Sequence, residues 1–330
     1  MSSPNIIQDA SSQHWVYRVP KAWQPFLQLS RLDRPIGYWL LALPGWIGLA
    51  FAALTEGFSL NDLKWALLIL IGAIAMRGAG CTYNDIVDQD LDAKVERTAL
   101  RPLPSGTVTT KQAWLWLLIQ CFIGLIVLLL LPRFAQIIAI CSLPLVAAYP
   151  FMKRITWWPQ IWLGFTFNWA VLVAFAAKTG SLTLPIGLLY AALIFWTIGY
   201  DTIYACQDIE DDALIGIKST AIRFGNRVKL GVGICYSLCI ILLLFSQCLQ
   251  SLELYADNTI NALKIEKPLL ENALFTIVPF GLHLLLQIIR IDEHDTSISL
   301  KLFKSNFKAA CILISTLILS AWYWNYGYGI

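Results

Sequence analysis

The chain has 330 residues, 58% of them hydrophobic and only 14% charged, with a mean hydropathy of +0.64. That charge content is too low for a water-soluble domain of this length, so the composition is that of an integral membrane protein. The net charge is +3 and no basic tract occurs, which excludes nucleic acid as a partner.

Residues 1–35 form a polar and aromatic segment without an apolar core flanked by a cleavage site, so no secretory signal is expected. From residue 36 onward, apolar segments near 20 residues long recur. They predict helices at 36–54, 63–82, 112–131, 134–150, 161–178, 184–204, 228–249, 272–290 and 308–325. The fourth is short, and Pro144 and Pro150 unsettle its ends. The expectation is a single all-α polytopic domain over 36–325, preceded by a cytoplasmic segment over 1–35. The mixed-charge stretch 251–271 reads as an external loop. With the N-terminus inside, 18 of the 24 basic residues fall on cytoplasmic segments, Lys301 and Lys304 among them. Lys64, Arg133, Lys178, Lys264 and Lys267 fall outside, and Arg77 is the one placed within a span. A bacterial inner membrane fits this pattern best, with a mature mitochondrial form as the alternative.

The eight cysteines form no Cys-x-x-Cys and lie mostly in apolar runs, and His14, His283 and His294 are scattered. Neither a disulfide framework nor a zinc site is expected.

Chemistry concentrates in two acidic clusters, each placed after a span. The first runs Asn84-Asp85-Ile86-Val87-Asp88-Gln89-Asp90-Leu91-Asp92, and the second Asp208-Ile209-Glu210-Asp211-Asp212. The spacing places Asn84, Asp88 and Asp92 on one helix face, and Asp208 with Asp212 on another. Carboxylates crowded beside a bilayer resist desolvation and repel one another unless a cation joins them. Oxygen-rich sites of this kind suit Mg²⁺, which commonly brings a phosphate with it. Lys94, Arg97, Arg101, Lys153, Arg154 and Lys218 lie on the same side of the membrane as the acids. The positive-inside bias alone accounts for any one of them, but together with the acids they make a clamp for a diphosphate. Arg77 lies seven residues before Asn84, toward the membrane interior, where a guanidinium is expensive unless an anion meets it. That anion is either a nearby aspartate or a substrate carboxylate. A weak internal duplication, in which each half has a span, an acid cluster and a basic loop, places the two clusters across a shared cavity.

These residues carry a family resemblance. The stretch Arg77-Gly78-Ala79-Gly80-Cys81-Thr82-Tyr83-Asn84-Asp85, with Asp92-Ala93-Lys94-Val95-Glu96-Arg97-Thr98 and Arg101-Pro102-Leu103, resembles the first signature of UbiA-type prenyltransferases. Tyr204-Ala205-Cys206-Gln207-Asp208-Ile209-Glu210-Asp211-Asp212, with Gly216-Ile217-Lys218-Ser219-Thr220 after it, resembles the second. Three further stretches are similar to the 4-hydroxybenzoate branch: Arg31-Leu32-Asp33-Arg34-Pro35-Ile36-Gly37, Tyr149-Pro150-Phe151-Met152-Lys153-Arg154 and Phe303-Lys304-Ser305-Asn306. The resemblance implies a ring of about nine spans around a central cavity with cytoplasmic cap loops. It implies Mg²⁺ held by Asn84, Asp88, Asp92, Asp208 and Asp212, with polyprenyl diphosphate and 4-hydroxybenzoate as substrates of ubiquinone synthesis. Asp85 or Asp211 is then the guess for the base that removes the ring proton, and Arg77 or Arg34 for the partner of the benzoate carboxylate. No obligate protein partner is evident. Two rivals are weighed against this reading. One is a family relative acting on naphthoate, homogentisate or haem. The other is a cation or proton transporter, which would want its acids near mid-membrane rather than at helix ends beside basic loops.

Overall fold

A computed structural model of the chain describes residues 14–93, 96–209, 216, 218–257, 266–292 and 295–323. The side chains of Leu91, Glu96, Arg97, Asp208 and residues 254–257 and 266–269 stand outside that description. The described residues are almost wholly helical and contain no strand. In chain order the helices are α1 (Gln24–Leu29), α2 (Ile36–Glu56), α3 (Leu60–Val87), α4 (Gln89–Asp92), α5 (Glu96–Ala99), α6 (Thr110–Leu129) and α7 (Arg133–Ile140). They continue as α8 (Leu143–Ile155), α9 (Pro159–Thr179), α10 (Leu184–Ala205), α11 (Thr220–Phe224), α12 (Val228–Asp257), α13 (Glu266–Arg290) and α14 (Thr296–Trp322).

Among the described residues, nine helical segments are long and apolar enough to cross a bilayer, as the apolar runs predict. The protein is an integral membrane protein of all-α class. Several boundaries differ from the sequence reading, each for a physical reason. The last span starts at Thr296 rather than 308, so Lys301 and Lys304 lie on a spanning helix and not in a loop. Asp295 caps it, accepting hydrogen bonds from the backbone N–H groups of Ser297 and Ile298. Polar first turns are compatible with a span because lysine stems run along apolar surface while their heads stay near water. The 251–271 loop shrinks from both sides, since α12 continues to Asp257 and α13 begins at Glu266; residues 258–265 lie outside the described set. The fourth span is broken after Ile140, where Cys141 and Ser142 turn and Pro144 opens the second piece, while Pro150 sits inside α8 without ending it.

Packing divides the chain into two compact units, Met1–Leu41 with Leu70–Leu130, and Ala42–Ile69 with Leu131–Ile330. Each contains one acidic motif. In the first unit, Leu29, Leu103, Val108 and Ala113 form a buried cluster with Phe26, Ile86 and Trp116 against it. This cluster holds the loop after the first motif onto α1 and α6. The opposite face of α6 exposes Leu115, Leu118, Phe122, Leu125 and Leu129, the surface a spanning helix offers to lipid. In the second unit α10 packs along α9 and α12. A Cβ on Gly164 would approach Cγ2 of Ile194 to 2.8 Å, so the α9–α10 crossing depends on a small residue there. Three of the buried polar side chains in this unit, Trp196, Gln287 and Tyr236, are paired across helices. Trp196 Nε1 and Gln287 Nε2 donate to Asn306 Oδ1 at 2.9 and 3.2 Å, and the Tyr236 hydroxyl donates to Gln287 Oε1 at 2.6 Å. The Lys178 ammonium bonds Asp62 at 2.6 Å and the Gly57 carbonyl at 2.7 Å.

Candidate active site

The first motif is built by continuing α3 beyond its apolar run. Helical register persists through the break at Asp88: its N–H donates to the Asn84 carbonyl at 2.9 Å, and the Asp92 N–H to the Asp88 carbonyl at 2.8 Å. Asn84, Asp88 and Asp92 therefore share one face, one turn apart, as their spacing predicts. Asp85 and Asp88 are fully buried and Asp92 nearly so. The chain then folds back, with the Thr98 hydroxyl donating to the Asp92 carbonyl at 2.7 Å and the Arg101 N–H to the Thr98 carbonyl at 2.9 Å. That return brings Arg101 to the acids. Its Nη1 lies 2.6 Å from Asp92 Oδ2 and 3.6 Å from Asp85 Oδ1.

Sequence reasoning missed Arg31, whose Nη2 donates to Asp85 Oδ1 at 2.6 Å. The two residues are 54 apart in the chain and no local spacing announces the pair. Asp85 Oδ2 is buried with no hydrogen-bond partner among the described residues. A carboxylate engaged by two guanidinium groups is held in place, which suits an anchor better than a mobile proton acceptor. Arg77 points back along α3 toward the start of α2, where a Cβ on Gly37 would stand 2.9 Å from its Nε. Arg34 lies 3.9 Å from Asp33, which also accepts from the Tyr17 hydroxyl at 3.3 Å. Lys94 lies outside the described residues, as does the side chain of Arg97.

The second motif comes after α10, which tightens over Cys206–Asp208 into a 3-10 turn. The side chain of Asp208, and Asp211 and Asp212 entirely, lie outside the described residues. The helix leading to them is ordered by aromatic packing: the Tyr204 and Tyr200 rings stand 4.4 and 5.9 Å from Phe303. The segment on their C-terminal side is fixed by hydrogen bonds. Lys218 N–H donates to the Lys153 carbonyl at 3.1 Å, the Thr220 N–H to Gln160 Oε1 at 3.2 Å, and the Thr202 and Thr220 hydroxyls bond at 2.6 Å. The Lys218 ammonium donates to the Ile155 carbonyl at 3.2 Å and lies 5.7 Å from the Trp157 ring centroid. Lys153 and Arg154 occupy the last turn of α8, where cations complement the helix dipole. The structure thus brings Lys153, Arg154 and Lys218 to one corner of the second unit, and Arg31 and Arg101 to the acids of the first.

Among the described residues, no three His, Cys, Asp or Glu side chains are grouped as a metal cage. Asn84, Asp88 and Asp92 nevertheless turn hard side-chain oxygens to one helix face, Asp88 and Asp92 buried and Asn84 half-buried, the donor chemistry that Mg²⁺ takes.

The model of the UbiA prenyltransferase family matches residues 41–312. The chain is 46% identical over 227 residues to the mitochondrial 4-hydroxybenzoate polyprenyltransferase of Arabidopsis thaliana, a match covering 68% of this chain and 54% of that protein. It is 49% identical over 213 residues to the human protein of the same name, covering 64% of this chain and 56% of the relative. These matches span about half the length of those two proteins. With the protein of that name from Rattus norvegicus the identity is 39% over 316 residues, 93% of this chain and 78% of the relative. In fold, the chain is similar to the apo structure of a UbiA homolog from Aeropyrum pernix K1, with TM-score 0.66 and 24% identity over 86% of this chain and 98% of that one. It is similar also to a UbiA homolog from Archaeoglobus fulgidus bound to GPP and Mg²⁺, with TM-score 0.63 and 18% identity over 90% and 99%. Taken with the paired acid signatures, the match over 41–312 settles the family: the chain belongs to the UbiA prenyltransferases.

Proposed function

We propose that this protein transfers a polyprenyl group from its diphosphate to the ring carbon ortho to the hydroxyl of 4-hydroxybenzoate, in ubiquinone biosynthesis. The oxygen face shared by Asn84 and the buried Asp88 and Asp92, with Arg101 laid on Asp92, carries this reading. The names of relatives 39–49% identical supply the acceptor. In the reaction, the allylic C–O bond breaks with its electron pair leaving on the diphosphate. The ring carbon then forms the new C–C bond, and its proton passes to a base.

In this reading Asn84, Asp88 and Asp92 of the first motif, and Asp208 and Asp212 of the second, are the residues that would hold Mg²⁺. Bound there, Mg²⁺ would supply positive charge to offset that of the leaving diphosphate. Arg101, Arg97, Lys94, Lys153, Arg154 and Lys218 are the bases assigned to phosphate oxygens. Arg77, carried on the span that ends in the motif, is the first choice for the benzoate carboxylate, and Arg34 the second. With Asp85 tied to Arg31 and Arg101, Asp211 is the better assignment for the proton acceptor. The basic bias of the loops favours placing both motifs on the cytoplasmic side of a bacterial inner membrane, or on the matrix side in mitochondria.

The test is incubation of membranes containing the protein with radiolabelled 4-hydroxybenzoate, a polyprenyl diphosphate and Mg²⁺, with and without EDTA. Label should enter a lipid-soluble product only without chelator. Labelling of dihydroxynaphthoate in preference to 4-hydroxybenzoate would replace the acceptor. An absence of label with either acceptor would remove the aromatic assignment.

A further inference from the structure

We infer that Arg31 is a positioning residue for the first acidic motif, acting on Asp92 through Asp85 and Arg101. The backbone fixes its place first. Helix α1 ends with the Leu32 N–H bonded to the Leu27 carbonyl at 3.0 Å and the Arg31 N–H to the Gln28 carbonyl at 3.0 Å. This Schellman pattern requires a left-handed residue at Arg31, and glycine is the usual occupant. Arg31 takes it at φ 54°, alone among the described non-glycine residues. An L side chain accepts that steric penalty where the surroundings hold it in place.

A chain of contacts within one compact unit holds it there. Ser30, buried beside it, accepts hydrogen bonds from Trp116 Nε1 at 2.8 Å and Gln120 Nε2 at 3.1 Å, which pins the segment to α6. The left-handed turn then sends the Arg31 side chain, 11% exposed, to the fully buried Asp85 on α3. Asp85 Oδ1 is shared with Arg101 Nη1, and the same Nη1 holds Asp92 Oδ2. The order is therefore Arg31, Asp85, Arg101, Asp92. Without Arg31, the 3.6 Å contact with Arg101 is what remains among the described residues to compensate the buried Asp85 carboxylate. An uncompensated buried charge recruits the nearest cation, so Arg101 moves onto Asp85 and leaves Asp92. The N-terminal segment thereby sets the geometry of an acid at the far end of the motif.

This rests on the prenyl-transfer reading only for the choice of substrate, so the test has two arms. Purified full-length protein in detergent is titrated with Mn²⁺, and the free-ion electron paramagnetic resonance signal gives the affinity. The Mg²⁺ dependence of prenyl transfer is measured in parallel. Arg31→Gly suits the left-handed turn but removes the guanidinium, and should weaken Mn²⁺ binding about 10-fold and lower kcat more than it raises the acceptor KM. Arg31→Lys keeps the charge without the fork and should fall between. Combining Arg31→Gly with Asp85→Asn removes the stranded charge. The pair should fold at wild-type yield and recover Mn²⁺ affinity to within about twofold of wild type, because no charge at position 85 then draws Arg101 off Asp92. Wild-type Mn²⁺ affinity in Arg31→Lys, or a double variant that still binds Mn²⁺ about 10-fold weakly, would overturn the inference and leave Arg31 as a structural plug for α1; Arg31→Lys also covers the case in which Arg31→Gly alone fails to fold. Should the wild-type protein bind Mn²⁺ without transferring a prenyl group, the functional reading fails while the Mn²⁺ arm still decides the role of Arg31.

Discussion

Gly37→Ala tests acceptor recognition without touching a charged residue. The added Cβ would stand 2.9 Å from Arg77 Nε, 3.3 Å from Nη2 and 3.5 Å from Cζ. Relaxed carbon–nitrogen contacts lie at about 3.5 Å, so the guanidinium must retreat by roughly 0.5 Å. The retreating group is the end of a flexible side chain, so neither helix backbone is forced to shift. Alanine also suits the first turn of α2 better than glycine, by up to ~0.5–1 kcal/mol in a helix interior and less at its end. Stability should hold or rise slightly while the guanidinium is misplaced. A 1 Å misplacement at a reacting centre costs on the order of 10²-fold, so half of that predicts about a 10-fold rise in KM for 4-hydroxybenzoate. Arg77→Ala should cost more, about 30- to 1000-fold, by losing a charge-assisted bidentate contact of about 2–4 kcal/mol, and Arg77→Lys should recover only part. The assay is initial rate against acceptor concentration at saturating polyprenyl diphosphate and Mg²⁺, with thermal denaturation in detergent as the fold control. If Gly37→Ala and Arg77→Ala both keep the acceptor KM within about twofold of wild type, the role of Arg77 is refuted. A selective rise in the diphosphate KM would instead move Arg77 to the phosphate clamp and leave Arg34 as the carboxylate partner.

Replacing Asp88 or Asp92 with Ala should lower turnover at least ~10²-fold, and Asn should rescue poorly because it keeps shape without charge; near-normal activity with unchanged Mg²⁺ dependence in both would dismiss the metal face. Lys178→Met removes an ammonium-bearing side chain only 5% exposed from Asp62, which keeps hydrogen bonds from the Ser59 N–H and hydroxyl. Because Asp62 itself keeps 18% exposure, the cost should fall at the low end for a broken buried pair, about 3 kcal/mol. Denaturation in detergent should show it with both substrate KM values unchanged, and a catalytic defect at full stability would contradict a purely structural pair. A cysteine at Ser105 in a cysteine-free background should react with impermeant reagent only from the inner face, and labelling only from outside would invert the proposed orientation.

Features of this fold are legible in the sequence to the degree that they are local. The spans are legible because about 20 consecutive apolar residues are a local property, and so is the face shared by Asn84, Asp88 and Asp92, which needs only continued helical register. Register does continue, with i to i−4 hydrogen bonds through Asp88 and Asp92, although an apolarity count ends the span at residue 82. Helix ends are less legible because hydropathy marks the bilayer, whereas capping and hydrogen bonding mark the helix. The final helix starts at Thr296, behind its Asp295 cap and twelve residues before its apolar run predicts, since lysine stems can lie along apolar surface while their charged heads reach water. The N-terminal segment is the least legible. Arg31 reads as one of many basic residues favoured by the inside bias, and nothing near it in sequence names Asp85 as its partner. The backbone supplies the missing signal: an α1 helix closing in a Schellman turn wants glycine, and the chain places an arginine there. A charged side chain at a glycine position, five residues before a membrane span, indicates an interaction strong enough to outweigh backbone strain. In this chain that interaction reaches the fully buried acid next to the proposed metal face.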